Sequence, residues 1–233
     1  MNANSNKQGF LAEVDELVKR VECRRAVTAE DKEAIYRMRY RGYMKEGFAP
    51  ADTPEIFKDE YDDMSNSCSI GLHIGDELVA SIRCHVGNSA YPGIPLMHGW
   101  EDVVQPFFDR GHVVIDFSRF VVESQFSKLY GKLPFVTLRL AALLSLHVSA
   151  DTAFAAIREE HMPFYKRYFQ YKELSEPRMH GRLTKPVSLM GTDCKEFYAN
   201  VLGKYPFLRS TEIERTEIFD DFGVEFRPSA IAA

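Results

Sequence analysis

The sequence predicts an α/β protein of the α+β type, in which helices flank a mixed, mostly antiparallel central sheet. The predicted elements run helix, two hairpin strands, strand, helix, strand, helix and further strands, without the regular βαβ alternation of a doubly wound nucleotide-binding fold. With 233 residues, of which 45% are hydrophobic and 27% charged, the chain is long enough to bury one large core. We therefore expect one domain with appended ends.

The two ends of the chain differ in pattern from the part between them. Residues 1–23 place apolar side chains such as Val14 at helical spacing, which predicts an amphipathic helix that covers the core or forms a dimer contact. Residues 206–233 are expected to be a C-terminal tail that is charged and weakly periodic from Ser210 on, and partly disordered. Residues 24–205 form the predicted folded domain.

Local signals place the elements of this domain. Thr28 is a predicted cap for a helix at about 30–45, with Asp31 three residues on in an approximate capping box. Gly75 and Asp76 give a tight hairpin signal. The other predicted elements are strands at 24–28, 68–74, 78–86, 112–123, 152–157, 171–176 and 186–190, and helices at 100–109, 135–147 (apolar nearly all round), 163–169 and 195–202.

The segment 112–123, HVVIDFSRFVVE, carries an acid and a base inside an apolar strand. Its β-branched and aromatic residues are typical of a strand buried on both faces, where charged groups rarely stay without partners. Asp116 and Arg119 lie three residues apart, so a regular strand would point them to opposite faces. Only a bulge or a paired network would bring them together. This segment is therefore the first place to look for a site.

Charge and cysteine content restrict the class of function. The net charge of −5 argues against a general nucleic-acid binder, which normally carries a basic surplus. The cysteines show neither zinc-site spacing nor a dense disulfide framework, so we expect reduced thiols and a cytoplasmic location. They are Cys23, Cys68, Cys84 and Cys194.

Other sequence signals are missing. The N-terminus, MNANSNKQGF, lacks the basic start and apolar core of a signal peptide, and the most apolar run, 135–148, is too short to span a bilayer. We therefore expect no stable membrane insertion. The seven histidines show no His-x-x-x-His spacing, so we predict no metal site, and no nucleophile elbow or Walker loop is present.

Four short motifs follow one another in the chain: MRYRGY at 38–43, DEYD at 59–62, SIR at 81–83 and DFSRF at 116–120. Together they resemble motifs of the acyl-homoserine-lactone (autoinducer) synthases and of the related N-acyl amino acid synthases, both of the GNAT acyltransferase superfamily. The resemblance covers about residues 30–190 and implies a GNAT-like fold.

Three features separate the chain from the autoinducer synthases. These enzymes typically carry Glu in place of Asp116, and the tryptophan that usually follows their first motif is missing, since the only tryptophan is Trp100. The segment 161–171 looks more like the N-acyl amino acid synthases and GNAT enzymes generally. The last two departures favour an amino acid acceptor over S-adenosylmethionine.

The resemblance implies an acyltransferase that moves a fatty acyl group from acyl carrier protein to the α-amine of an amino acid. The donor would be the carrier's phosphopantetheine thioester, or acyl-CoA, with no tightly bound cofactor. Three alternatives stay open: a homoserine-lactone synthase that uses S-adenosylmethionine, a coenzyme A-dependent acetyltransferase, and a non-catalytic GNAT-like module that binds an acyl carrier.

Two residues are candidates for proton transfer. Asp116 is the candidate base, because burial in an apolar strand raises the pKa of a carboxyl group. The alternative is that Asp116 pairs with an arginine and orients the site. Tyr165 is the candidate acid that returns a proton to the leaving thiolate, a role implied by the resemblance. Its aromatic neighbours fit plain core packing as well.

The remaining candidates would bind substrates. The resemblance implies a charged network whose arginines suit the carboxylate of a free amino acid, and the alternative is a structural ion-pair cluster. The acceptor-binding candidates are Arg39, Tyr43, Asp59, Asp62, Arg83 and Arg119. Segment 126–133 corresponds to the loop where GNAT enzymes receive the donor's pyrophosphate, although its lysines also fit an ordinary solvated loop. The donor-binding candidates are Lys128, Gly131, Lys132 and Arg139.

Overall fold

A seven-stranded sheet forms the centre of the computed structural model, which describes residues 3–220 and 222–226. Its strands are β1 (Glu22–Arg25), β2 (Ser67–Ile74), β3 (Glu77–Gly87), β4 (Val114–Val122), β5 (Thr152–Ile157), β6 (Lys172–Glu173) and β7 (Ser188–Asp193). They lie in the order β1-β2-β3-β4-β5-β7-β6, and each neighbouring pair is antiparallel except β4 and β5. The predicted mixed, mostly antiparallel sheet is confirmed.

Helices cover both faces of this sheet. Those in the described residues are α1 (Ala3–Arg20), α2 (Ala29–Lys45), α3 (Met97–Asp109), α4 (Ser124–Leu129), α5 (Leu133–His147), α6 (Met162–Phe169), α7 (Cys194–Val201) and α8 (Glu212–Phe219). The larger core lies between the sheet and α1, α5, α6, α7 and α8. A second core packs α3 on the other face, against Val114, Phe154 and Leu189. The alternation of side chains along each strand thus supplies two separate cores.

Helix α2 begins as the sequence predicted. The Thr28 Oγ1 accepts a hydrogen bond from the Asp31 N–H at 3.1 Å, and Asp31 accepts one from the Thr28 N–H at 3.2 Å. Near its other end, Gly42 lies so close to β4 that a Cβ there would be 2.7 Å from Val121. This close approach sets the distance between α2 and the centre of the sheet.

Strand β4 contains a bulge. Ser81 pairs with Val121 and Arg83 pairs with Ser118, so two residues of β4 lie opposite one residue of β3. Arg119, the first of the two, has a φ of +53°, in the left-handed region. Such a bulge is one of the two ways, with a paired network, in which the oddly spaced Asp116 and Arg119 were expected to reach one site.

The ladder between β4 and β5 is short. It runs from the pair Val114–Thr152 to the pair Phe117–Ala155, and ends there although both strands continue. The bulge in β4 follows at once, so the two parallel strands separate at this point. The separation opens the sheet beside Arg119.

Two segments differ from the sequence-based expectations. The polar connection after β4 contains a helix, α4, which begins where the Glu123 side chain accepts a hydrogen bond from the Ser124 N–H. The charged segment from Ser210 on is ordered through most of the described residues. It forms α8 behind a Thr211 cap, while Phe219 and two further phenylalanines are buried in the core. Expected disorder in 227–233 lies outside the described residues.

Candidate active site

The DEYD motif folds into a turn that orients both of its aspartates. Asp59 precedes a short 3-10 helix, Glu60–Asp63, and accepts a hydrogen bond from the Tyr61 N–H at 3.1 Å. Asp62 accepts one from the Asp59 N–H at 3.0 Å. This capping box fixes the two carboxylates with backbone donors and leaves their other lone pairs for side chains.

Arg39, on α2, is the innermost member of the charged network. Its Nη1 donates to Asp62 Oδ1 at 2.6 Å and its Nη2 donates to Ser69 Oγ at 2.8 Å. The side chains of Arg39 and Asp62 are both fully buried. They therefore tie α2 to the DEYD turn and do not line the open part of the site.

Arg83 joins the turn to the sheet. Its Nη1 lies 2.5 Å from Asp59 Oδ1 and 3.0 Å from Asp62 Oδ1, so it bridges the two carboxylates. Its Nε donates to Ser118 Oγ at 3.2 Å, across the β3–β4 pair. Like Arg39, it is enclosed by protein.

Arg119 lies at the edge of the network. Its Nη2 donates to Asp59 Oδ2 at 2.5 Å, and its guanidinium lies 4.8 Å from the ring centre of Phe57 and 5.5 Å from that of Tyr43. The Arg119 side chain is 10% exposed, whereas that of Arg83 is 1% exposed. Of the three arginines of the network, Arg119 is the one placed to meet a ligand.

The network carries an excess of one positive charge, from three guanidinium groups and two carboxylates. Burial alone would raise the pKa of Asp59 and of Asp62, but the neighbouring arginines outweigh it and hold both below the ordinary value. Both aspartates are therefore ionised at neutral pH. An ionised Asp116 would bring the whole group to electrical neutrality.

Asp116 lies beside this network and is not paired within it. It is 1% exposed, and its Oδ2 accepts a hydrogen bond from the Leu96 N–H at 3.2 Å. Within residues 3–220 and 222–226, its Oδ1 has no hydrogen-bond partner and no ion pair includes it. Burial raises its pKa to about 7, although Arg83 acts in the opposite direction. Such a carboxyl group can exchange a proton near neutral pH.

His85 is a site residue that the sequence reasoning missed. It pairs directly with Asp116 across the β3–β4 ladder and is fully buried. Its Nε2 donates to the Tyr61 carbonyl oxygen at 2.9 Å, and burial lowers its pKa to about 3. The sequence did contain a signal for His85: it lies two residues after Arg83, so the two side chains share one face of the predicted strand. Leu96, which acts through its backbone, gave no such signal.

Tyr165 lies in an aromatic cluster on the other side of the sheet from Asp116. Its ring packs 5.6 Å from that of Tyr171 and 6.3 Å from that of Phe169. Burial raises its pKa well above the ordinary value, with a further contribution from Tyr43 of α2. The phenol is thus uncharged at neutral pH, and the structure places it in the core.

The donor candidates do not form one basic patch. Lys128 and Gly131 are exposed, but the Lys132 Nζ lies 3.4 Å from Glu13 of α1. Arg139 is buried and its side chain is paired within the fold, so donor contact at this residue stays a prediction that the closed position of the side chain does not favour. Its Nε donates to the Phe207 carbonyl oxygen at 2.5 Å, and its Nη groups bind the carboxylate of Glu214. The cause is the ordered C-terminal segment, which covers this face of α5.

An apolar cavity of about 20 Å³ lies beneath the β4–β5 pair, with room for about one water molecule. Phe117 of β4 and Leu138 of α5 line it, together with two alanines of α5, Ala141 and Ala142. Phe135 and Leu143 do not line it. A fatty acyl chain that entered here would have to widen the cavity.

Comparisons with known proteins identify a matching family and several similar structures. A sequence profile for the N-acyl amino acid synthase FeeM matches residues 34–193. The structure of FeeM, an N-acyl amino acid synthase from uncultured soil microbes, is similar with a TM-score of 0.66 at 16% identity, over 79% of this chain and 97% of that one. Among curated proteins, no sequence matches significantly.

Two further solved structures show the same fold. One is a coenzyme A-dependent acyl-homoserine lactone synthase, BjaI, with a TM-score of 0.56 at 15% identity, over 80% of this chain and 89% of that one. The other is a putative N-acetyltransferase from Lactobacillus plantarum, with a TM-score of 0.52 at 15% identity, over 75% of this chain and 98% of that one. Through the described ranges, no helix is long and apolar enough to cross a bilayer.

Proposed function

The chain belongs to the family of the N-acyl amino acid synthase FeeM, and on that premise we propose that it transfers a fatty acyl group from acyl carrier protein to the α-amine of an amino acid. The fold is that of the GNAT acyltransferases, and the protein is an acyltransferase. The observation that carries the proposal is Asp116, a buried carboxyl group beside a cationic network, whose Oδ1 has no hydrogen-bond partner among the described residues.

Asp116 acts as the base in this proposal. The amine nitrogen of the acceptor attacks the thioester carbonyl carbon, a C–N bond forms, and the C–S bond breaks. The amine proton passes to Asp116 Oδ1, directly or through water, and the departing thiolate takes up a proton. Since the pKa of Asp116 is about 7, a large fraction of the group is ionised and able to accept that proton at neutral pH.

Arg119 is the residue that we propose binds the acceptor's carboxylate. It is partly exposed, and the rings of Phe57 and Tyr43 hold its guanidinium group in place. Arginine binds carboxylates with two parallel hydrogen bonds, which suits a free amino acid. Arg39, Asp62 and Arg83 fix the position of Asp59, which in turn holds Arg119.

The donor proposal rests on the opening between β4 and β5 and on the exposed residues near the start of α5. Lys128 is exposed, and among the described residues it forms no ion pair, so it can meet an acidic carrier surface. Tyr165, a neutral phenol on the other side of the sheet that interacts with Tyr43, is proposed to protonate the thiolate through the opening between β4 and β5. We place the reaction in the cytoplasm, because the four cysteines are free thiols.

The decisive experiment incubates the protein with long-chain acyl carrier protein and a mixture of amino acids. Mass spectrometry should detect N-acyl amino acids, and Asp116→Asn should lower turnover by about 10²- to 10⁴-fold while the protein remains folded. Asp63→Asn is the matched control, because this aspartate is exposed and lies outside the charged network.

Other outcomes would replace the proposal. Formation of a homoserine lactone with S-adenosylmethionine would identify an autoinducer synthase. Transfer only from acetyl-CoA would identify an acetyltransferase. Binding of the acyl carrier without any product would identify a non-catalytic module. Wild-type rates in Asp116→Asn would remove Asp116 from the role of base.

A further inference from the structure

Asp116 faces His85, a buried histidine that takes no part in the proposed proton transfers. His85 and Asp116 are direct partners in the antiparallel β3–β4 ladder, so their side chains lie on one face with Cβ atoms about 4.5–5.5 Å apart. Both are enclosed, at 0% and 1% exposure. A buried carboxyl group and a buried imidazole therefore lie side by side at the centre of the sheet.

The hydrogen bond between His85 and Tyr61 determines which nitrogen of the imidazole carries the proton. A carbonyl oxygen only accepts, so the bond to the Tyr61 carbonyl oxygen requires the hydrogen on Nε2. The imidazole is neutral, because burial lowers its pKa to about 3. Its Nδ1 is consequently a bare lone pair, available as a hydrogen-bond acceptor.

Both residues leave one polar atom unsatisfied. Within residues 3–220 and 222–226, neither His85 Nδ1 nor Asp116 Oδ1 has a hydrogen-bond partner. Buried polar atoms in folded proteins nearly always have one. Two such atoms on facing residues of one ladder are complementary once the carboxyl group is protonated, because Nδ1 only accepts and the carboxyl O–H donates.

We propose that His85 Nδ1 accepts a hydrogen bond from the protonated Asp116 carboxyl group, directly or across one water, and thereby sets how readily Asp116 takes the amine proton. His85 is then a positioning residue for the base. The kinetic part of this inference rests on the proposed function, whereas the pairing itself does not. The imidazole gains no net charge, since the proton stays on Asp116.

Other groups also influence the titration of Asp116, and they are the same in the wild type and in the His85 variants compared below. On strand β5, the residue that pairs with Asp116 is the apolar Phe154. The Leu96 N–H, ahead of α3, stabilises the ionised form. The charged and titratable groups that face the pair are Arg83 from β3, Arg119 from β4, Asp59, Tyr61 and Asp62 from the DEYD turn, and, through the network, Arg39 from α2.

Two conservative variants separate the two bonds of His85. In His85→Gln, the amide nitrogen replaces Nε2 and keeps the bond to the Tyr61 carbonyl oxygen, but the acceptor toward Asp116 is gone. In His85→Asn, the amide oxygen replaces Nδ1 and keeps that acceptor, but the bond to Tyr61 is lost. One variant is thus the control of the other.

The first measurement is the infrared absorption of the protonated Asp116 carboxyl group, titrated without substrates and identified by its loss in Asp116→Asn. Loss of an acceptor for the protonated form favours the ionised form. We therefore expect His85→Gln to lower the titration midpoint by about one pH unit and His85→Asn to leave it near that of the wild type. Equal midpoints in all three proteins, or equal shifts in both variants, would overturn the pairing.

Kinetics give the second measurement. With acyl carrier protein as donor, the acid limb of the kcat/KM profile should move by the same amount in His85→Gln. If the titration midpoint of the Asp116 carboxyl group moves in His85→Gln but no acyl transfer is detected, the pairing is supported and the proposed function is rejected. If His85→Gln does not fold, the ¹⁵N chemical shift of His85 Nδ1 tests the pairing instead. In the wild type this shift should change with pH at the midpoint of the Asp116 titration, and in Asp116→Asn that change should be absent.

Discussion

At the scale of single residues, Asp116 makes the stability of the fold depend on pH. Its pKa is raised from 3.8 to about 7, so between these values the folded protein holds a proton that the unfolded chain has lost. The contribution of Asp116 to stability is therefore full below about pH 4 and declines as the pH rises toward 7. The carboxyl group that we propose as the base is therefore kept at the expense of stability at neutral pH.

Asp116→Asn should for this reason be a stabilising substitution whose benefit grows with pH. Asparagine stays neutral, so the difference in unfolding free energy between variant and wild type should increase by roughly 2–3 kcal/mol from pH 5 to pH 8. Urea denaturation at the two pH values measures it. The control is Asp52→Asn, at an exposed aspartate in the loop after α2. A constant difference for Asp116→Asn would contradict the raised pKa.

The sequence predicted the charged residues of this site better than their neutral partners. Asp116 and Arg119 stood out because charge inside an apolar strand needs an explanation. His85 did not stand out, since a lone histidine in a strand is common, and the Leu96 N–H has no sequence signal at all. When the partners of a residue lie in other elements, its contribution to the site can be recognised only once the strand register is known.

At the scale of elements, the position of each charged side chain depends on a local backbone signal. The spacing of Asp59 and Asp62 matches a capping box, which explains why the two acids of the DEYD motif lie three residues apart. Thr28 and Asp31 predicted the start of α2 for the same reason. The odd spacing of Asp116 and Arg119 left a bulge or a paired network as alternatives, and the place of the bulge opposite β3 could not be read from β4 alone.

The approach of α2 to β4 depends on a glycine. In Gly42→Ala the new Cβ would lie 2.7 Å from the Val121 Cγ1, so α2 must move away from the sheet. We expect a loss of about 1–2 kcal/mol in unfolding free energy, even though alanine favours helix by about 1 kcal/mol. Activity should fall as well, because α2 carries Arg39 and Tyr43.

A double-mutant cycle tests that explanation by chemical denaturation. Val121→Ala removes the methyl groups that the new Cβ meets, so Gly42→Ala with Val121→Ala should be more stable than the sum of the two single effects predicts. Activity should recover in parallel. Strictly additive effects would show that the clash with Val121 is not the cause.

At the scale of the whole molecule, the least predictable feature was how the C-terminal segment packs. Its charged residues suggested a solvated tail, yet α8 lies against α5 and β1, and Phe219, Phe222 and Phe226 are buried. Three phenylalanines distributed over eight residues do not reveal which surface they cover. The same segment explains Arg139, a cation in an apolar helix that resembled a donor contact in sequence.

Arg139 and Lys128 should therefore respond to mutation in opposite ways. Arg139→Met leaves the carbonyl oxygens of Phe207 and Arg209 and the carboxylate of Glu214 without their donor. Because Arg139 and Phe207 are buried, while Arg209 is exposed and Glu214 is partly exposed, the unfolding free energy should fall by about 1–3 kcal/mol, and turnover of the remaining folded enzyme at low temperature should stay unchanged. Lys128→Glu should leave stability within about 0.5 kcal/mol and raise the KM for acyl carrier protein.

Two controls make this contrast decisive. Lys204→Glu introduces the same charge change at another exposed lysine and should not alter the KM for the carrier. A short acyl-pantetheine donor lacks the carrier's acidic surface, so Lys128→Glu should leave its KM unchanged. If instead Arg139→Met raised the KM for the carrier at unchanged stability, the donor would contact α5 at Arg139, and the packing of α8 over that residue would have to open during catalysis.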